Sequence, residues 1–232
     1  MKLKVIITGS TGMVGKGVLL ECIDSPEVEQ ILVINRSPVG ITHPKLKEII
    51  HKDFFDWSGI REQLNGYNAC FFCMGVSSVG MNEADYRRMT YDLTLGFAKE
   101  LLAKNNGMTF CYVSGAGTDS TEQGRMMWAR VKGKTENDLL GLGFKDAYMF
   151  RPGFIQPMRG IKSKTALYQG IYNIISPLYG LLRRMPKYVT TTVVIGKAMI
   201  RVAMDGCDKK VLAVSYTHLR AHETDSYLVC RL

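Results

Sequence analysis

The sequence predicts an α/β protein built on a doubly wound parallel sheet, and three observations support this. First, a β-branched run at Lys4–Thr8 leads without a break into the glycine-rich stretch 9–17 and then into an amphipathic helix. Second, short apolar runs typical of fully buried strands alternate with helical patterns along the chain. Third, 232 residues with 46% hydrophobic and 22% charged content suffice for one soluble domain. We expect this single domain to cover residues 1–212.

The glycine-rich stretch predicts a turn from strand into helix that binds a diphosphate. Gly9 suits the sharp turn, Gly12 leaves no Cβ between backbone and phosphate, and Gly15 lets the helix pack close to the strand. The helix N-terminus adds N–H groups and a partial positive charge. The candidate cofactor loop therefore comprises Gly9, Ser10, Thr11, Gly12, Met13, Val14 and Gly15.

The second predicted strand, residues 31–34, ends where a dinucleotide fold contacts the adenosine ribose. An acid here would bind both ribose hydroxyls and repel a 2′-phosphate. The sequence instead has neutral Asn35 and cationic Arg36. A guanidinium suits a phosphate, so Arg36 favours NADP, with NAD as the alternative cofactor. Stacking on adenine and a solvated charge at the strand end are the other interpretations of Arg36.

Two further predicted strands, 46–51 and 68–75, supply the next candidates. Asp53 could bind the adenine amine while Phe54 covers the ring, but a helix N-cap is an equal interpretation of Asp53 or Asp56. Gly75, at the end of the fourth strand, gives the backbone access to the middle of the cofactor.

The second half of the chain continues the alternation. A helix over 84–104 precedes a strand over 108–113, which places Ser114 at the carboxyl edge, where open α/β sheets bind ligands. A helix beginning near Met126 carries Trp128 and Lys132 on one face, because they are four residues apart. A sixth strand over 147–150, a helix over 189–204 and a last strand over 209–212 complete the predicted domain.

The segment 160–186 is crowded with apolar residues, and three interpretations compete: a helical substrate lid, packing on the sheet edge, or an interfacial helix on an anionic membrane. We expect a lid or packing and no membrane contact, because Gly170, Pro177 and Gly180 would interrupt a surface helix.

Residues 213–232 differ in character from the rest of the chain. Ser215–Thr224 resembles an in-frame translation of the transposase adapter used in sequencing libraries, so we expect a non-native tail and exclude it from the domain.

Composition and charge limit the classes of partner, the metal sites and the location that we expect. The net charge of +9 is spread along the chain without a run of five basic residues, which fits attraction of a phosphorylated cofactor and not nucleic-acid binding. Six scattered cysteines lack zinc-ligand spacing, so we expect reduced core cysteines and no metal. No apolar run approaches the ~20 residues of a membrane span. A core strand directly after Met1 leaves no room for a signal peptide, and we expect a cytoplasmic protein.

Several motifs together resemble the atypical short-chain dehydrogenase/reductases, in particular the Tat-interacting-protein-like NAD(P)-binding oxidoreductases and their epimerase relatives. The resemblance covers residue 1 to about Leu212. It is carried by Thr8–Gly15, Arg36, Tyr112–Ser114, Val131–Lys134 and Phe150–Gly153. It implies that Ser114 polarises a substrate oxygen, that Lys132 binds the nicotinamide ribose, and that Pro152 contacts the cofactor.

One residue departs from the family pattern. Trp128 stands where such enzymes have the tyrosine that exchanges a proton, and an indole N–H has no second protonation state near neutral pH. Three interpretations follow. In the first, the proton passes through another group, which is a nearby tyrosine, the substrate or a water at Ser114. In the second, the protein binds NADP without turnover, and in the third it uses the cofactor in a different reaction. The sequence favours an NADP-dependent oxidoreductase or epimerase-like enzyme, monomer or homodimer, for a small carbonyl or alcohol. The alternative is a non-catalytic NADP sensor or scaffold.

Overall fold

A computed structural model of the chain describes residues 2–161, 189–213 and residue 217. Its main sheet has seven parallel strands: β1 (Leu3–Thr8), β2 (Val28–Asn35), β3 (Leu46–Ile50), β4 (Ala69–Phe72), β5 (Thr109–Val113), β6 (Asp146–Arg151) and β9 (Val211–Ala213). Two short strands, β7 (Phe154–Gln156) and β8 (Val189–Thr191), pair in a second parallel sheet. The order β3-β2-β1-β4-β5-β6-β9 reverses direction between β1 and β4. Open α/β sheets bind ligands at such a point.

Helices cover both faces of the sheet. They are α1 (Met13–Asp24), a 3₁₀-helix (Ser58–Leu64), α2 (Glu83–Arg87), which runs through a π-helical turn (Arg88–Asp92) into α3 (Leu93–Lys104), α4 (Met127–Leu140) and α5 (Thr192–Asp205). One core cluster combines the sheet with α1 and α5, and the other combines it with the 3₁₀-helix, α3 and α4. The predicted doubly wound, Rossmann-like fold is therefore confirmed.

The central strands are apolar on both faces because both faces are covered. Along β1, Val5 and Ile7 belong to one cluster and Ile6 to the other, and all three are fully buried. This is the physical reason for an uninterrupted β-branched run where a half-exposed strand would alternate.

Some predicted boundaries differ from the structure. The fourth strand ends at Phe72, so Gly75 lies in the following loop. The helix predicted to begin at Val189 begins at Thr192 instead, because Val189–Thr191 pair with β7. The side chain of Thr191 accepts the N–H of Val194 at 3.1 Å and so marks the helix start.

The two predictions for the end of the chain fall mostly outside the described residues. Of the predicted lid at 160–186, the structure describes residues 160 and 161. Of the predicted tail at 213–232, it describes Ala213, which is the last residue of β9, and Thr217. Within the described ranges, no helix combines the length and apolarity that a bilayer crossing requires.

Candidate functional site

The loop between β1 and α1 has a shape that only glycine permits at two positions. Gly9 adopts φ +71°, and a Cβ there would lie 2.8 Å from the carbonyl carbon and oxygen of Cys73. A Cβ on Gly15 would lie 2.3 Å from the carbonyl oxygen of Gly9. The helix therefore touches the loop, and the loop touches the end of β4. This is the close packing that the glycine spacing predicts.

The start of α1 leaves backbone donors available. Gly12 is the N-cap residue and supplies no side-chain cap, so the N–H groups of the first turn, at Met13 and Val14, have no intrahelical acceptor. The turn itself is closed by the N–H of Gly12, which donates to the carbonyl of Gly9 at 2.9 Å. Just before the loop, the buried hydroxyl of Thr8 has no hydrogen-bond partner in the described part of the chain. Unpaired donors at a helix N-terminus fit a diphosphate.

The end of β2 is tied to this loop by side chains. The hydroxyl of Ser10 donates to Oδ1 of buried Asn35 at 2.9 Å, and Nδ2 of Asn35 donates to Oε1 of Glu48 on β3, also at 2.9 Å. The next residue, Arg36, is exposed and forms no ion pair or hydrogen bond with the residues that the structure describes. Asn35 thus holds the framework together, while no residue in the described ranges pairs with the guanidinium of Arg36.

The residues predicted to hold adenine have other contacts. Phe54 is only 5% exposed, and its ring packs edge-on against Trp57 with centroids 5.1 Å apart. The carboxylate of Asp53 accepts the N–H of Phe55, and that of Asp56 accepts the N–H of Ser58 at the start of the 3₁₀-helix. Both acids therefore act as local turn caps. Gly75 lies exposed in the loop after β4, and among the residues that the structure places, none lies within 4 Å of a Cβ added there.

The second part of the site lies at the carboxyl end of β5. Ser114 is 7% exposed, and its hydroxyl donates to the carbonyl of Phe150 on β6 at 3.1 Å. Nζ of Lys132, from α4, donates to the main-chain oxygen of Ser114 at 2.6 Å. Burial lowers the pKa of Lys132 to about 8, against the opposing charge of Glu136. The structure thus brings together the two residues that the family resemblance pairs.

Trp128 lies one helical turn before Lys132, in the first turn of α4. Its indole is partly buried and covers the loop after β5, where Cη2 would be 3.2 Å from a Cβ on Gly117. The same loop is joined to the residue that follows β6, because the N–H of Ala116 donates to the carbonyl of Pro152 at 2.7 Å. Pro152 therefore shapes the loop beside Ser114 through its main chain.

Three tyrosines of the neighbouring elements are poorly suited to replace the family's proton-exchanging tyrosine. Tyr86 and Tyr112 are each 1% exposed, and burial raises the pKa of both phenols. The hydroxyl of Tyr91 donates to the carboxylate of Asp138, and this hydrogen bond raises the pKa of Tyr91. A proton donor for catalysis at neutral pH needs a pKa shifted in the other direction.

Sequence reasoning missed two acids that support the site. Glu48 joins the ends of β2 and β3. Glu136, which is 1% exposed, binds the guanidinium of Arg151, and its charge acts on Lys132. No local signal marks either acid, since each acts through residues that are distant in the sequence. The described residues contain no group of three or more potential metal ligands, and their cysteines are free.

Sequence comparison finds curated fungal relatives. The chain is 29% identical over 202 residues to protein FMP52, mitochondrial, of Debaryomyces hansenii. This alignment covers 85% of this chain and 84% of the relative. It is 25% identical over 223 residues to the protein of the same name from Meyerozyma guilliermondii, covering 94% of each. No protein-family model matches the chain. The expectation of a cytoplasmic protein is wrong on this comparison, because these relatives are named as mitochondrial.

Solved structures agree on the fold. A short-chain dehydrogenase family protein from Francisella tularensis superimposes with a TM-score of 0.64 at 14% identity, covering 94% of this chain and 99% of that one. The Bordetella bronchiseptica enzyme WbmF, solved with NAD+ and UDP, gives a TM-score of 0.68 at 13% identity, covering 92% of this chain and 72% of that one. The chain has the Rossmann-like fold of these proteins. The likeness includes epimerases, among them the Helicobacter pylori ADP-L-glycero-D-manno-heptose-6-epimerase.

Proposed function

We propose that this protein is an NADP-dependent oxidoreductase of the short-chain dehydrogenase type that acts on a small, partly apolar carbonyl or alcohol. The observation that carries the proposal is one edge of the sheet holding both a glycine loop with free N–H donors and the contact between Lys132 and Ser114. A diphosphate and a reacting group need these two features side by side.

The residues at the same edge of the sheet also support a choice of cofactor. Neighbouring structures were solved with NAD+ or NADH, which supports a nicotinamide dinucleotide. Arg36 supports the phosphorylated form, since an exposed guanidinium without a partner in the described chain can take the 2′-phosphate. The diphosphate would lie on the N–H groups of Met13 and Val14, and Lys132 would bind the ribose next to the nicotinamide.

When bound, the nicotinamide would give a hydride to a carbonyl carbon or take one from an alcohol carbon, and the chain supplies placement and charge. The accompanying proton would be exchanged between the substrate oxygen and a water at Ser114. The hydroxyl of Ser114 donates to the carbonyl of Phe150, and rotation about the Cβ–Oγ bond would turn its proton toward a substrate oxygen. The ammonium of Lys132 keeps this corner positive, which favours a carbonyl oxygen that gains negative charge. The indole of Trp128 would cover one side of this corner, at Gly117.

A second function, a non-catalytic NADP sensor or scaffold, is favoured by two observations. Trp128 occupies the position of the proton-exchanging tyrosine, and burial raises the pKa of nearby Tyr86 and Tyr112. Both functions share the cofactor loop and differ only in turnover. The relatives named as mitochondrial support a mitochondrial location for either one.

A titration followed by a turnover assay tests the proposal. Binding is measured by the fluorescence of NADPH and NADH on addition of protein, and turnover by loss of NADPH absorbance with a panel of aldehydes and ketones. We expect saturable NADPH binding and oxidation with at least one apolar carbonyl. Tight binding without oxidation by any substrate would favour the sensor, and no saturable binding of either nucleotide would reject both functions.

A further inference from the structure

The turn that carries Arg36 is fixed at both ends by one carboxylate oxygen. Oε1 of Glu48 accepts Nδ2 of Asn35 and the main-chain N–H of Val39, each at 2.9 Å. Between these two anchors lie the three exposed residues 36–38. Glu48 lies on β3, thirteen residues after Asn35, and its side chain contacts Asn35 and Val39 from there.

The same contact reaches the glycine-rich loop. Asn35 is 3% exposed and uses both ends of its amide: Nδ2 donates to Glu48, and Oδ1 accepts the hydroxyl of Ser10 at 2.9 Å. A buried amide satisfied at both ends has one preferred orientation. The carboxylate on β3, the turn after β2 and the loop after β1 are therefore linked by one chain of hydrogen bonds.

We propose that Glu48 is a positioning residue that holds the Arg36 turn in place and couples it, through Asn35, to the loop that would bind the diphosphate. The proposal rests on the proposed function for its ligand, an NADP-type dinucleotide. A long side chain such as that of Arg36 loses rotamer freedom on binding, and a backbone already fixed removes part of the remaining cost. In a dinucleotide fold, the acid that binds the ribose lies at the end of β2. Glu48 lies on the neighbouring strand β3 and acts instead as a hydrogen-bond acceptor for the protein.

Glu48→Gln separates an acceptor role from a charge role, because it removes the charge and keeps an acceptor, whereas Glu48→Ala removes both. Glu48→Gln keeps a carbonyl oxygen that can accept both hydrogen bonds, whereas Glu48→Ala removes it. We expect Glu48→Gln to bind NADPH within about twofold of the wild type and Glu48→Ala to bind it about tenfold more weakly, with a smaller loss for NADH. In an Arg36→Ala background the loss caused by Glu48→Ala should shrink, since the residue that it positions is gone.

Glu29→Ala is the matched control. Glu29 is also an exposed acid on a strand, and its ion pair is a 3.5 Å contact with the ammonium of Lys4. The substitution removes the same charge from the protein without touching the turn, so nucleotide binding should not change. Unchanged or tighter NADPH binding by Glu48→Ala would overturn the proposal, and so would equal losses in the Gln and Ala variants.

A second measurement does not need the nucleotide. Hydrogen exchange of the Val39 amide should be faster in Glu48→Ala than in the wild type and unchanged in Glu48→Gln and Glu29→Ala. If the wild type binds neither nucleotide, the proposed function fails, and this exchange still decides the role of Glu48. Equal protection of Val39 in the wild type and Glu48→Ala would then overturn it.

Discussion

The nucleotide half of the candidate site lies at the ends of β1 and β2, and the chemical half lies at the end of β5 and the start of α4. In the first half, backbone geometry dominates: Gly9 has a positive φ and Gly15 has no room for a Cβ. In the second half, side chains dominate: Nζ of Lys132 donates to the main-chain oxygen of Ser114, and the indole of Trp128 covers the loop after β5 at Gly117. A backbone site tolerates little variation, whereas a side-chain site can keep its shape and change its chemistry.

This difference explains why the two candidate functions share a cofactor and differ in turnover. The first half has the glycine loop and a helix start whose first N–H groups have no intrahelical acceptor, which fits the proposed diphosphate site. The second half has Lys132 and Ser114, which the family resemblance predicts, and the indole of Trp128 at the position where that resemblance predicts a phenol. Four perturbations test this contrast between the halves.

Gly15→Ala should have the largest effect. The added Cβ would lie 2.3 Å from the carbonyl oxygen of Gly9, so helix and loop must separate. We expect NADPH affinity to fall more than about 100-fold and the free energy of unfolding to fall by about 3 kcal/mol, measured by titration and by urea unfolding.

Gly96→Ala is the control for that change. Gly96 is also helical, but it is exposed, and a Cβ added there would have no described residue within 4 Å. Alanine there should raise the free energy of unfolding by about 0.5–1 kcal/mol and leave binding unchanged. Normal NADPH binding by Gly15→Ala would show that the loop does not bind the diphosphate.

Trp128→Tyr tests the chemical half. If only the proton donor is missing, a phenol one turn before Lys132 should raise NADPH-dependent carbonyl reduction by about 100-fold, the usual contribution of a positioned acid. NADPH affinity should not change, because the nucleotide half is untouched. Trp128→Phe is the matched control, and equal rates for the Tyr and Phe variants would contradict the interpretation.

Arg36→Ala tests cofactor choice in the nucleotide half. A charge-assisted hydrogen bond to phosphate contributes about 1.5–3 kcal/mol, so NADPH affinity should fall about tenfold or more. NADH affinity should change little, and the ratio of the two dissociation constants is the measurement. Equal losses for both nucleotides would mean that Arg36 stacks on adenine.

The titration of Lys132 should give the smallest effect. Its pKa of about 8 means that the ammonium is largely present at pH 7 and lost by about pH 9.5. We expect NADPH affinity to fall about fivefold over this range, and Lys132→Arg, which stays charged, to remove most of the pH dependence. A fall that is equally steep in Lys132→Arg would assign the titration to another group.

The same shift affects stability with a defined sign. Because burial lowers the pKa of Lys132 in the folded state, the unfolded chain holds the extra proton between about 8 and the ordinary lysine pKa. The contribution of Lys132 to the free energy of unfolding is therefore unfavourable below about pH 8 and improves as the pH rises through that window. Urea unfolding of wild type and Lys132→Met at several pH values measures it.

Sequence alone was sufficient for the features that depend on neighbouring residues. The glycine spacing after β1 predicted the loop, the uninterrupted apolar runs predicted the buried parallel strands, and the four-residue spacing placed Trp128 and Lys132 on one helix face. Each of these follows from local backbone geometry or from the periods of helix and strand. The same local reasoning placed a helix over Val189–Thr191, where pairing with β7 made a strand.

Contacts between residues that are distant in the sequence were determined by the folded structure. The contact of Glu48 with Asn35, the burial that lowers the pKa of Lys132, and the packing that covers Phe54 each depend on strand register and on layers brought together across the fold. A sequence contains both partners of such a contact but not the distance between them. Hydrogen-bond partners and desolvation are properties of the assembled sheet and helices, so they could not be predicted from the order of the residues.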